Sequence, residues 1–185
     1  MAERQKVGAV IAAAGSSQRM GGVDKLFALL GRKPIIARVV DTFQNCPSID
    51  QIVIVLSQQN LKQGEQLVSE QKWAKVTCIC PGGERRQDSV IVGLGKLKDC
   101  GWVVIHDGAR PFVTDELIMQ GLETAQETGA AIAAVPVTDT IKIAGSDLIV
   151  QGTPPRNSLW AAQTPQVFRF DIIAEAYRQL KYEVT

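Results

Sequence analysis

The stretch 12–25, AAAGSSQRMGGVDK, follows an apolar run, Val7 to Ile11, and carries three glycines, Arg19 and Lys25. Small residues over 13–17 let backbone N–H groups come close to the oxygens of an anion, as phosphate-binding loops require. Arg19 can hold two oxygens with its planar fork, and Lys25 supplies a movable point charge. Together they suit a polyphosphate. The plainer alternative is a surface turn with two solvated cations.

Two further segments carry groups of this kind. In PGGERRQDSV, 81–90, Gly82 and Gly83 permit backbone approach to a flat base, and Ser89 opens a helix with a hydroxyl that can donate or accept. Read plainly, the same residues form a strand-to-helix turn capped by Asp88 or Ser89. In HDGARP, 106–111, Asp107 can bind a divalent cation directly or through water. Arg110 precedes Pro111, which disfavours helical backbone at the residue before it. An Asp–Arg pair closing a loop is the plainer reading there. His106 is the single histidine. No G-x-S-x-G elbow accompanies it, so it reads as a supporting side chain rather than a base.

The first loop is not a Walker loop, because Gly15 and Gly21 are spaced wrongly and Lys25 is followed by Leu26. Nor does Gly15-Ser16-Ser17 fit the dinucleotide fingerprint G-x-G-x-x-G. Gly15, Arg19, Met20 and the later Lys25 fit the loop of nucleotidyltransferases, roughly G-x-x-x-R-M with a lysine beyond.

Apolar runs alternate with helical patterns along the chain. Strands are expected at 7–13, 51–57, 75–80, 102–107 and 130–137, and helices at 34–43, 61–72, 87–97 and 114–127. This rhythm implies a largely parallel sheet covered on both faces. Ligands of such sheets sit beyond the carboxyl ends of the strands, which is where the three segments fall. After 137 the rhythm breaks. IKI and LIV around Gly145-Ser146-Asp147 suggest a hairpin, so 138–160 is expected to project as an arm from one domain spanning 1–185. A last helix is expected after Phe170-Asp171.

The chain has 185 residues, 20 basic against 19 acidic. No basic field exists to hold nucleic acid, so none is expected as a partner. No apolar run reaches the ~20 residues of a membrane helix, and none is long enough at the N-terminus for a signal core. A cytoplasmic location is expected, or the plastid stroma if a transit peptide was removed. Cys46, Cys78, Cys80 and Cys100 contain no C-x-x-C pair and read as small buried thiols rather than a metal site.

In this order, AAAGSSQRM, GGERRQDSV, HDGARP, VPVTDTIK and RNSLWAAQTPQVF (156–168) closely resemble the 2-C-methyl-D-erythritol 4-phosphate cytidylyltransferases of the non-mevalonate isoprenoid pathway. The resemblance runs from residue 7 to 185. It implies a Rossmann-like three-layer α/β sandwich of nucleotidyltransferase type, with a mostly parallel sheet and a β-hairpin arm. It implies transfer of CMP from CTP to methylerythritol phosphate, with Mg²⁺ as cofactor. Arg19 and Lys25 match the family's catalytic cations. Ala13, Ala14, Gly15, Gly83 and Ser89 match its nucleotide-binding positions, and Asp107 its metal-site acid. Arg110, Thr140, Arg156 and Thr164 match its acceptor side, Thr140 and Arg156 being offered to a partner subunit by the 138–160 arm of a homodimer. Ala12 stands where some members have proline. The family pattern continues past Val184-Thr185 with an acidic pair, and later with a second magnesium-site aspartate and a lysine, so the chain is expected to lack the family's C-terminal part. Transfer to another polyol phosphate such as ribitol 5-phosphate, or a nucleotide-binding fragment without activity, are the alternatives.

Overall fold

The structure, a computed structural model, describes residues 4–15 and 24–179. Strand β1 (Lys6–Ala13) leads to a short hairpin of β2 (Leu29–Leu30) and β3 (Lys33–Pro34), then α1 (Ile35–Asn45). There follow β4 (Gln51–Leu56), α2 (Leu61–Gln71), β5 (Val76–Pro81), α3 (Arg86–Leu94), β6 (Cys100–Asp107), α4 (Asp115–Thr128) and β7 (Ala130–Pro136). The arm holds β8 (Ile143–Ala144) and β9 (Val150–Gly152), and β10 (Trp160–Arg169) and α5 (Phe170–Gln179) complete the fold.

The main sheet has the order β5-β4-β1-β6-β10-β7. Its first four strands are parallel. The β-branched, apolar runs that predict β1, β4 and β6 are buried on both faces, as a doubly covered parallel sheet requires, while edge strand β5 is only partly buried. On β1, Val7, Ala9, Ile11 and Ala13 join the core beneath α1, α2 and α4, while Val10 joins the core beneath α3 and α5. That two-residue alternation makes the three layers. Thr114 caps α4 by accepting from the Leu117 N–H at 3.3 Å, and Gly129 ends it at φ +85°, a conformation that favours glycine.

In the main sheet one strand is not anticipated by the alternating rhythm. β10 inserts between β6 and β7 and runs antiparallel to both, so β7 lies parallel to β6 but at the sheet edge. Its pairing with β7 shifts register between Ala162 and Gln166. The irregularity accommodates Pro165, which cannot donate to a ladder, and it obscures the strand's period. The arm's hairpin is present, but Ile143 pairs with Gly152 and Ala144 with Val150, about two residues beyond the expected runs.

Candidate active site

The connections of this sheet reverse direction at β1. β4 and β5 lie on one side of it and β6 on the other, and such a reversal opens a crevice at the strands' carboxyl ends. The three chemistry-bearing segments leave the sheet at that level. Ala12 pairs with Asp107 across β1 and β6, Ala13 with Leu56 across β1 and β4, and Leu56 with Pro81 across β4 and β5. The next residues stay tied down: Gly82 N–H donates to the Leu56 carbonyl at 2.8 Å, and Gly108 N–H to the Ala12 carbonyl at 2.9 Å.

A cleft of about 490 Å³ results, and Ala13, Ala14, Gly15, Lys25, Gly83, Ser89 and Asp107 all line it. The volume falls in the range of small-molecule sites. Seven positions read from the sequence thus share one cavity. Arg19 lies outside the described residues. Arg110 stands at the rim, its Nε donating to Asp107 Oδ2 at 3.0 Å. Thr164 is buried, and its Oγ1 accepts from the Asp107 N–H at 3.3 Å. Thr140 and Arg156 do not line the cleft. Both are exposed on the arm, where Arg156 Nη1 donates to the Thr138 carbonyl at 2.9 Å.

Local contacts explain why the loops hold their shape. A Cβ on Gly82 would come within 2.3 Å of Ala14 Cβ and 2.4 Å of Ser89 Oγ. No other residue fits where the first and second loops meet. Ser89 Oγ is used twice, accepting from the Gly83 N–H at 3.2 Å and donating to the Arg85 carbonyl at 3.3 Å. Asp88 accepts from the Arg85 backbone N–H at 3.2 Å and from Arg85 Nη2 at 2.9 Å. The Arg85 side chain thereby holds the Asp88 carboxyl below the usual carboxylate range. Beside the first loop, Asp24 Oδ1 accepts from the Leu26 N–H at 2.9 Å, and buried Asn60 donates to the other oxygen of that carboxylate. This clamp fixes the turn on which Lys25 faces the cleft.

His106 supports the third loop from below. It is 1% exposed, its Nε2 lies 3.0 Å from the Arg110 carbonyl, and its ring stands 5.4 Å from that of Phe43. Burial pushes its pKa down to about 4. The ring is therefore neutral, donates through Nε2 and takes no proton from substrate. Cys80 is likewise inert, its thiol pushed up to about 11 by burial.

The family profile of 2-C-methyl-D-erythritol 4-phosphate cytidylyltransferase matches residues 7–185. This chain belongs to that cytidylyltransferase family. A member from Dehalococcoides mccartyi is 53% identical over 181 residues, covering 98% of this chain and 80% of the relative. One from Clostridioides difficile is 44% identical over 92% of this chain and 72% of its own length. The crystal structure of 4-diphosphocytidyl-2C-methyl-D-erythritol synthase from Anaerococcus prevotii superimposes with a TM-score of 0.83 at 27% identity, over 98% of this chain and 80% of that one. The cytidylyltransferase from Thermus thermophilus gives 0.74 at 27% identity over the same shares. The fold is thus the Rossmann-like sandwich of the cytidylyltransferases, and the chain is a nucleotidyltransferase.

The cytidylyltransferase cleft also holds residues that spacing alone did not single out. Glu84, Arg85 and Arg86 line it. Arg86 Nε donates to Asp107 Oδ1 at 2.8 Å, and Gln163 accepts from Arg110 Nη1. Arg86 lay inside a quoted motif, but its partner is 21 residues away. No periodicity reports such a pair.

Proposed function

We propose that this chain transfers CMP from CTP to 2-C-methyl-D-erythritol 4-phosphate, giving 4-diphosphocytidyl-2-C-methyl-D-erythritol and pyrophosphate for isoprenoid precursor synthesis. The observation that carries the reading is the convergence of the loops after β1, β5 and β6 on one cleft at the sheet's switch point. Backbone at Ala13, Ala14 and Gly83, held by Ser89, would read the cytosine ring. Gly15, Arg19 and Lys25 would take the triphosphate. Arg110 at the rim and Thr164 behind Asp107, with Thr140 and Arg156 from a second subunit's arm, would form the acceptor side.

An acceptor phosphate oxygen attacks the α-phosphorus, the bond from that phosphorus to the α–β bridging oxygen breaks, and its electron pair leaves with pyrophosphate. The attacking oxygen is already ionised, so no general base is required, in keeping with a neutral, buried His106. Charge gathers around phosphorus, so catalysis rests on positioning and fixed cations. Lys25 and Arg19 supply those cations from this chain. Among the described residues no group of three or more metal-ligating side chains occurs. The Asp107 carboxylate at the cleft suits Mg²⁺, which is commonly held by one or two carboxylates and the substrate's phosphates. Asp107 would hold that ion, whose contribution is to neutralise phosphate charge.

The arm supports a homodimer. Ile143, Leu148, Ile149 and Val150 on it are exposed, as are Ile132 and Val135 on edge strand β7 and Trp160 at the start of β10, a pattern that marks protein contact. Among the described residues no helix is long and apolar enough to cross a membrane. The bacterial origin of the relatives named above supports a cytoplasmic enzyme.

Pyrophosphate release with CTP, Mg²⁺ and methylerythritol phosphate tests the reading. Lys25→Ala should keep the melting temperature and lose roughly 10²–10³ in turnover, the scale of one charge-stabilising donor. Near-normal turnover in Lys25→Ala would remove Lys25 from the mechanism. Release with ribitol 5-phosphate but not methylerythritol phosphate would move the acceptor assignment.

A further inference from the structure

Asp107 is held on both carboxylate oxygens. Arg86 Nε donates to Oδ1 at 2.8 Å and Arg110 Nε to Oδ2 at 3.0 Å. A cation that approaches a carboxylate gripped in this way is repelled by both guanidiniums, so its binding is eased when one of them withdraws. The two arginines are not equally able to do so. Arg110 is anchored all round: Nη1 donates to Gln163, its backbone N–H donates to the Asp107 carbonyl at 3.0 Å, and its own carbonyl meets His106 Nε2 at 3.0 Å. Arg86 sits on the first turn of α3, and among the described residues its guanidinium hydrogen-bonds to Asp107 alone. Its side chain is 45% exposed and lines the cleft. Withdrawing it breaks one half-exposed ion pair, an inexpensive change.

We propose that Arg86 is a positioning residue that stands in for the cation at Asp107: it supplies the positive charge beyond that of Arg110 while no metal is bound, and withdraws from Oδ1 when a metal-bound nucleoside triphosphate arrives. This rests on the assignment of Asp107 as the metal-site acid. The physical need is plain. Arg110 alone only balances the Asp107 carboxylate, whereas a cleft that takes a triphosphate needs net positive charge. With Arg86 in place Asp107 and its two arginines present one net positive charge to the entering phosphates. Once the ion takes that role, Arg86 is redundant there. Arg86 therefore matters most to nucleotide binding when the metal is scarce.

The test is equilibrium binding of CTP without acceptor, by titration calorimetry, with saturating Mg²⁺ and with EDTA. Arg86→Gln should weaken metal-free CTP binding roughly fivefold to tenfold, as expected for removing one positive charge beside the phosphates. In saturating Mg²⁺ the same variant should bind CTP within about twofold of the parent. Arg86→Lys, which keeps the charge, should restore most of the metal-free affinity. A merely structural arginine would weaken both conditions alike; that result, or no change in either, overturns the proposal. Asp107→Asn separates the underlying assignment. If Mg²⁺ enhances CTP binding equally in Asp107→Asn and the parent, Asp107 is not the metal-site acid and the failure lies there. If that enhancement is lost in Asp107→Asn while Arg86→Gln is indifferent to Mg²⁺, the failure is that of Arg86 alone.

Discussion

His106 keeps one ring nitrogen on the Arg110 carbonyl and leaves the other, Nδ1, without a hydrogen-bond partner among the described residues. Protonating Nδ1 would place a charge in the core, which is why burial pushes the pKa from 6.5 down to about 4. The unfolded chain binds that proton near pH 6.5 and the folded chain does not until about pH 4. Stability from the neutral ring is therefore fully present above about pH 6.5 and lost as pH falls toward 4, a change of about 2–3 kcal/mol. His106→Gln keeps a donor for the Arg110 carbonyl and removes the titration. Its melting temperature should fall less steeply than the parent's between pH 6.5 and 4.5; an equal slope would place the acid sensitivity elsewhere. The supporting role of His106 was legible in the sequence, because a lone histidine inside an apolar run with no nucleophile elbow has little else to do. Arg86 was not legible, because its role depends on a contact made only after α3 and β6 pack against the same end of β1.

At the scale of elements, within the main sheet the sequence announced the strands whose residues are mostly apolar and hid the one that carries polar residues at its centre. β1, β4 and β6 are buried on both faces at their centres, so continuous apolar runs mark them, and edge strand β5 is partly covered on both. β10 carries Gln163, Thr164 and Pro165 at its centre, where the strand serves the site rather than the core. The same Thr164 that breaks the pattern hydrogen-bonds to Asp107. The second loop shows the converse: Gly82 is plain in the sequence, but only the fold says what it avoids. Gly82→Ala would drive a methyl into Ala14 and Ser89, pushing the β1 and β5 loops apart. A cost of about 1–3 kcal/mol is expected from such overpacking, with CTP binding weakened at the same time. Ala14→Gly in that background should recover part of both, because it removes the nearer clash. A double variant no better than Gly82→Ala would mean that the loops are not braced against each other.

The whole molecule leaves Thr140 and Arg156 away from the cleft formed by their own chain, on an arm whose apolar tip includes Leu148 at 85% exposure. The proposed dimer accounts for both facts at once: a second copy covers the apolar residues, and each arm completes the other subunit's acceptor site. That arrangement has a consequence no single-chain site can imitate. Lys25→Ala damages the cleft of its own subunit, and Arg156→Ala damages the cleft of its partner. In a heterodimer of the two, one cleft carries both lesions and the other carries neither. Random re-assortment makes half the dimers mixed, each with one intact site, so about a quarter of parental activity should return from two inactive preparations. Mixing should restore pyrophosphate release only after subunits exchange, and the recovery should follow the heterodimer fraction measured with differently tagged chains. If heterodimers form and no activity returns, Arg156 serves its own subunit, and the arm's apolar face is a contact surface without a share in the active site.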